Sequence, residues 1–190
     1  NGKMKTKCSV CGKVTKTTVI YAAKKISLSA TSYTYDGKVK KPAVTIKDSK
    51  GKTIAASNYK VTYGSGRKNV GKYTVKITFK GNYTGKVTKS FKINPKSTTI
   101  SSITPKSKGF TVKWKKIKTQ TTGYQIQYST SSTFKNAKTV TVSGNATTNK
   151  KISKLKAKKK YYVRIRTYKK VGSAKYYSSW SKAKKVTTKR

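Results

Sequence analysis

KLKAKKKYYVRIRTYKK, residues 154–170, is the stretch whose reading decides the fold. From Lys160 onward the character of the side chains alternates. Tyr161, Val163 and Ile165 share one side of the chain, and Tyr162, Arg164 and Arg166 share the other. A period of two is the signature of a β-strand with one face in a core. A slip of one residue would carry both arginines inside, so the register is firmly specified: Tyr161 inward, Tyr162 outward. Upstream, GFTVKWKKI (109–117) sets Phe110, Val112 and Trp114 against Thr111, Lys113 and Lys115 in the same way. TGYQIQYS, AKTVTVSG, NKKISKL and SKAKKVTTK complete the pattern at the spacing of a β-sandwich.

The first half repeats the theme. NYKVTYGSG alternates Tyr59, Val61 and Tyr63 into a Gly-rich turn. GKYTVKITFKGNYTGKVTKSFKI then gives two strands, Tyr73, Val75, Ile77 and Phe79 before the GNYTG turn and Val87, Phe91 and Ile93 after it. Lys72, Lys76 and Lys80 fall on the solvent side, where lysine also discourages edge-to-edge pairing. Pro95 and the polar KSTT that follows mark a boundary. The expected organisation is an all-β chain of two tandem antiparallel β-sandwiches, residues 24–95 and 96–190, after a Cys-bearing lead-in at 1–23. No helix of normal length is expected.

Composition narrows the function. The 190 residues carry 48 Lys and Arg against 2 acids, a formal charge of +46, with no His and no Glu. Paired carboxylates, a Ser-His-Asp triad and oxygen-rich cation cages all need residues that are absent. Neither an enzyme nor a cofactor is expected. Low apolar content with extreme charge can mean disorder, but 14 Tyr, 4 Phe and 2 Trp in alternating strands supply buriable surface. The excess is spread, with 23 basic residues in 1–100 and 25 in 101–190. An even coat suits a polyanion better than one shaped groove does. No run approaches the ~18 apolar residues that span a bilayer, so no membrane insertion is expected. The polar start NGKMKTK reads as an entry from upstream domains of a longer protein.

Residues 98–189 resemble a fibronectin type III domain. The resemblance rests on Trp114 in the second strand, on Leu155, Tyr161, Val163 and Ile165 as L-x5-Y-x-V-x-V, and on Ser178 and Trp180 in YYSSWSKAKKVTTK. It implies that Tyr161 closes a corner by bonding the backbone upstream. Residues 24–95 resemble the immunoglobulin-like repeats of surface proteins of Gram-positive anaerobes, through Tyr33, Tyr35, Asp36, Gly37, Pro42, Asn69, Val70, Gly71 and Gly81–Tyr83. The implied location is secreted or at the surface of a Gram-positive bacterium. TKCSVCGKVTKT resembles the end of a Cys-containing repeat that precedes such modules.

The candidate residues follow. Cys8 and Cys11 are spaced for a disulfide or for half of a zinc site. No third or fourth ligand exists in the chain, so no metal is expected in a single copy. Lys154, Lys156, Lys158, Lys159 and Lys160 crowd one turn, and Lys169 and Lys170 close the same strand. Arg164 and Arg166, two apart on its outer face, could grip phosphate or sulfate bidentately. Tyr162, Tyr168, Tyr176, Tyr177 and Trp180 form a possible aromatic platform, with Gln125, Gln127 and Asn136 as polar amides. Asp36 and Asp48 belong to turn chemistry.

The expected function is non-catalytic attachment to an anionic polymer, by family context the teichoic acid of a bacterial envelope. A carbohydrate or host-mucin adhesion module, with a sulfated or sialylated glycan as partner, is the alternative. A structural spacer and non-specific nucleic-acid binding also stay open.

Overall fold

The computed structural model describes residues 2–190. Sixteen strands run through them, and the one helical turn is a three-residue 3₁₀ segment at Ala56–Asn58. Two compact units emerge. The first comprises the chain up to Ser32 with Lys40–Arg67 and Lys72–Lys92, and the second comprises Tyr33–Val39, Lys68–Gly71 and Ile93–Arg190. The break at Lys92 and Ile93 falls just before Pro95. The Cys-bearing lead-in does not stand apart: it groups with the first unit.

That lead-in is a hairpin of β1 (Gly2–Lys7) and β2 (Val14–Ile20), paired from Gly2↔Ile20 to Lys7↔Val14. β3 (Ala23–Leu28) is followed by β4 (Ser32–Thr34) and by β5 (Val44–Asp48), which pairs β3 with Ile26 opposite Ile46. β6 (Tyr59–Tyr63), β7 (Gly71–Phe79) and β8 (Lys86–Asn94) complete a four-stranded sheet in the order β4-β8-β7-β6. Ile46, Ile54, Val75, Ile77 and Phe91 are buried, as the period of two requires. Tyr73 and Phe79, on the same inward alternation, are only half-buried. Tyr73 leans on Phe91 with ring centres 5.7 Å apart, and Phe79 lies 6.1 Å from Tyr83.

The second unit holds two sheets. β9 (Ile100–Lys106), β10 (Gly109–Trp114) and β13 (Asn149–Ile152) form one, in the order β13-β10-β9. The other contains β11 (Gly123–Ser129), β12 (Lys138–Ser143) and β14 (Lys160–Val171). β15 (Ala174–Tyr177) and β16 (Lys184–Thr187) both pair with β14. The last edge strand is therefore interrupted, and Ser178–Ala183 lies in the gap.

Between these sheets lies one buried cluster. Phe110, Val112 and Trp114 come from β10, Tyr124, Ile126 and Tyr128 from β11, and Tyr161, Val163 and Ile165 from β14. The register is the one the sequence specifies: Tyr161 is 7% exposed, and Tyr162 sits half-buried on the outer face. Leu155 packs against the cluster without being fully enclosed. The Tyr161 hydroxyl accepts the Lys156 N–H at 3.4 Å, which supplies the expected corner. Gly123 has a steric reason. A β-carbon there would meet the Val142 carbonyl and the Tyr168 ring.

Tyr124, wholly buried beside Trp114, ties two connections together. Its hydroxyl accepts the Ile117 N–H and donates to the Asn145 carbonyl, both at 3.0 Å. Removing a buried group that satisfies two partners costs more than the bonds themselves. Tyr124→Phe is expected to lose about 1–3 kcal/mol, read from the urea midpoint. Tyr128→Phe, at a ring whose hydroxyl reaches solvent at the cleft described below, should shift it far less.

Candidate functional site

At one end of the second unit two connections approach each other. Ser153–Lys159 joins β13 to β14, and Thr130–Ala137 joins β11 to β12. Between them lies a cleft of about 550 Å³. Lys154, Lys156 and Lys159 line it from one connection, and Lys135 and Asn136 from the other, with Lys138 at the start of β12. Tyr128, Leu155 and Tyr161 give it an apolar side. Burial, then the neighbouring Tyr161, raises the Tyr128 pKa.

Both walls are braced from behind. Thr188 Oγ1 donates to the Lys156 carbonyl at 2.6 Å and accepts the Lys159 N–H at 3.0 Å. Leu155 N–H reaches the Lys108 carbonyl at 2.9 Å. On the other side Ser129 Oγ donates to the Lys135 carbonyl at 2.8 Å and accepts the Ser131 N–H at 3.0 Å. Phe134, Asn136, Lys154 and Lys158 take left-handed backbone angles, φ between 48° and 60°. Such angles are uncommon outside glycine and persist where the surroundings hold them.

The second assembly lies on the outer face of β14. Arg164 stacks on Phe134 at 3.9 Å and on Trp180 at 4.8 Å, and Arg166 on Trp180 at 4.3 Å and on Tyr177 at 3.9 Å. Ring and guanidinium alternate in the order Phe134, Arg164, Trp180, Arg166, Tyr177. Residues two apart on a strand are about 6.7 Å apart, which leaves room for one ring between them. The edges are fixed by amides. Arg164 Nε donates to Gln127 Oε1 at 2.8 Å, and Arg166 Nε and Nη2 donate to Gln125 Oε1 at 3.0 and 2.7 Å.

Two serines bring Trp180 into place. Ser178 exchanges bonds with Thr167, its N–H to the carbonyl and its Oγ from the N–H, both at 3.1 Å. Ser181 does the same with Ile165, at 2.8 and 3.1 Å. Three steps in this segment thus span two in β14. The extra residue bows the chain outward, as a bulge does, and lays the indole across the arginines.

Part of the second unit matches a known family model. Residues 93–184 match the Fibronectin type III domain. The chain is also similar to solved structures. One described as a myokine structure is 14% identical, with a TM-score of 0.42, over 50% of this chain and 99% of that one. The FN1-FN3 domains of chicken CNTN1 are 22% identical, with a TM-score of 0.44, over 64% of this chain and 44% of theirs. A beta-1,2-glucanase from Parabacteroides distasonis is 13% identical, with a TM-score of 0.41, over 62% of this chain and 18% of its own. No curated protein matches.

The structure sorts the candidate residues into new groups. Lys154, Lys156 and Lys159 meet at the cleft, whereas Lys158 and Lys160 lie outside it. Lys169 and Lys170 are at the far end of β14, about 30 Å along the strand from Lys160, so the basic set is not one patch. Arg164 and Arg166 are not a free chelating pair. Their faces are stacked and their Nε groups bonded, because two neighbouring cations without a carboxylate find their best partners in ring faces and amide oxygens. Burial lowers both pKa values; at Arg166 Tyr177 acts against this and Arg164 with it. Tyr168 is no platform residue, since it is 4% exposed. Trp180 has a guanidinium from each neighbouring arginine against its ring, and Tyr177 one. Tyr162 and Tyr176 remain half-buried on the surface. Gln125 and Gln127 orient the arginines and do not await a ligand. Lys135, Lys138 and Phe134 escaped the sequence reading, although FKNAK flanks Asn136 with basic residues.

Outside the second unit, Cys8 and Cys11 are free thiols. The Cys11 and Val10 backbone N–H groups, then the Cys11 thiol, lower the Cys8 pKa below that of an ordinary thiol. Alkylation of Cys8 should accordingly persist to lower pH than that of a free cysteine, which mass mapping across a pH series would read.

Each cation–π contact contributes about 0.5–2 kcal/mol, depending on desolvation. Trp180→Ala, which removes two, is expected to cost about 1–4 kcal/mol in chemical denaturation. Arg166→Lys should recover only part of the stability of Arg166→Ala, because an ammonium cannot stack and bond Gln125 together.

Proposed function

We propose that this chain is a non-catalytic, secreted or surface-exposed module that attaches its parent protein electrostatically to an anionic polymer, the phosphate-rich teichoic acid of a Gram-positive envelope. The observation that carries the reading is a net charge of +46 with two acids, concentrated where five lysines line one braced cleft. Both carboxylates serve their own turns. Asp36 accepts the Lys38 N–H, and Asp48 accepts those of Lys50 and Lys52. The cleft lysines therefore face solvent without an acidic partner. A chain that repels itself this strongly gains stability when a polyanion neutralises it.

Binding is multivalent and blind to sequence, with the cleft as its densest point and the remaining lysines as a coat. The immunoglobulin-like character of the first unit belongs to the same reading: a second module in tandem lengthens the basic surface along the polymer. The carbohydrate alternative draws little support from the platform residues, since the stack occupies Trp180 and Tyr177 and Tyr168 is buried.

The test is retention on purified envelope across a salt series, beside envelope stripped of teichoic acid. On double-stranded DNA each neutralised phosphate contributes a slope of about −0.9, and a sparser polymer gives less. Six contacts should then lose on the order of a hundredfold in affinity between 50 and 200 mM salt. Single Lys→Ala changes should each do little. Reversing Lys135, Lys154, Lys156 and Lys159 together to Glu should remove most retention, whereas the same number of reversals at Lys72, Lys76, Lys86 and Lys92 should remove less. Retention that survives 1 M salt or ignores the stripping would refute the electrostatic reading.

A further inference from the structure

The basic cleft of the second unit holds two phenols that its lysines do not explain. Tyr128 is 8% exposed, and its ring centre lies 6.2 Å from that of Tyr161, edge to face. Burial of that depth ordinarily brings a hydroxyl a partner. Among the described residues the Tyr128 hydroxyl has none, and the cleft is where it reaches solvent. The Tyr161 hydroxyl accepts the Lys156 N–H at 3.4 Å, which leaves its own proton to donate. Both residues line the cleft.

Donors and acceptors around the cleft are out of balance. Lys154, Lys156 and Lys159 border it on one side and Lys135 and Lys138 on the other, and an ammonium only donates. No carboxylate lines it, and both acids of the chain serve their own turns. The Ser129 hydroxyl holds the Lys135 carbonyl, and the Thr188 hydroxyl holds those of Lys156 and Lys159. Asn136 brings the one side-chain amide. A sugar hydroxyl needs an acceptor for its proton as well as a donor, so a sugar is poorly served here. A fully ionised tetrahedral oxyanion needs donors alone.

We infer that this cleft takes a phosphomonoester dianion, with the phenol floor selecting it over a phosphodiester.

Three sets of donors surround the cavity: the lysines of 154–159, the pair Lys135 and Lys138, and the two phenols. A monoester presents three terminal oxygens, one for each set, and carries a charge of about −1.5 to −2 at neutral pH. A diester presents two and carries one charge. Both of its ester arms must also leave the cleft, whereas a monoester has one arm and can bring its phosphoryl group to the floor. The inference deepens the attachment reading and rests on it. The dispersed lysines hold a polymer along its diester backbone, and the cleft holds a phosphoryl group that ends a chain. The phosphorylated end of an envelope polymer and a free phosphorylated polyol offer the same chemistry.

The experiment is a calorimetric titration at constant ionic strength with glycerol 3-phosphate, dimethyl phosphate and glycerol. The expected result is one glycerol 3-phosphate per chain, bound more tightly than dimethyl phosphate, with glycerol silent. As pH rises through the second ionisation of the monoester, at about 6, its affinity should increase. That of dimethyl phosphate, which has no such proton, should stay level. Tyr128→Phe removes a hydrogen bond to a charged group and should weaken glycerol 3-phosphate about tenfold, with dimethyl phosphate unaffected. The urea midpoint of this variant, close to that of the parent, separates a lost contact from a lost fold. Envelope fragments distinguish the two sources. Competition that phosphatase treatment abolishes assigns the site to the polymer end, and fragments that never compete assign it to the free ester.

Equal affinity for glycerol 3-phosphate and dimethyl phosphate would overturn the inference. So would a level pH profile for the monoester, an unchanged preference in Tyr128→Phe, or competition by fragments that survives phosphatase. Salt-sensitive retention on the envelope reports the coat of lysines and persists in each of those cases. Its loss with monoester binding intact refutes the attachment reading alone.

Discussion

Two arginines held between three aromatic rings are the interaction on which one end of the second unit depends. In a molecule almost without carboxylates, Arg164 and Arg166 cannot be neutralised by ion pairs, so they are held by ring faces and glutamine oxygens. Guanidinium suits this because it is planar and weakly hydrated, so it stacks and donates at its edge at once. An ammonium would do one or the other. The stack adds side-chain ties to the sheet: it reaches the 130–137 connection through Phe134 and the interrupted edge strand through Trp180, and it reinforces the β11–β14 ladder through Gln125 and Gln127.

The cleft follows from that bracing. Phe134 is the outermost layer of the stack and the immediate neighbour of Lys135, so the arginine that seats Phe134 also sets where one wall of the cleft stands. The opposite wall is set by Tyr161 and Thr188, which fix the turn carrying Lys156 and Lys159. Lysines of this sort would spread apart if their connections were free, since nothing on the protein attracts them to one another. Their gathering is imposed by bonds behind them, which fix the backbone from which the lysines project. The electrostatic cost of gathering them is met by the core beneath, where Phe110 and Tyr161 each meet Tyr128 edge to face and lean on each other at a tilt.

The thiol pair belongs to a different part of the chain and a different chemistry. Its hairpin has little burial and holds its shape through ladder bonds and one left-handed glycine.

How much of this was legible depends on the range over which each feature is decided. Strand faces are local: the period of two in YYVRIR and in GFTVKW placed Tyr161, Val163, Phe110 and Trp114 inside without further information, because a one-residue slip would bury arginine. The scarcity of acids is also plain in the sequence alone. What the tertiary structure decided is which outward residues meet. Arg164 and Arg166 looked like a free anion clamp because nothing nearby in sequence announces Phe134, 30 positions earlier, or the glutamines of β11. Tyr168 looked available because it is interleaved with Arg166, Lys169 and Lys170, yet in the fold it is buried opposite Gly123. Lys135 and Lys138 joined Lys154, Lys156 and Lys159 only when two connections folded to one end of the sandwich. Alternation fixes the side of a strand on which a residue lies, but the partners on that side come from strands distant in the chain, and only the packing of the sheets brings them within reach.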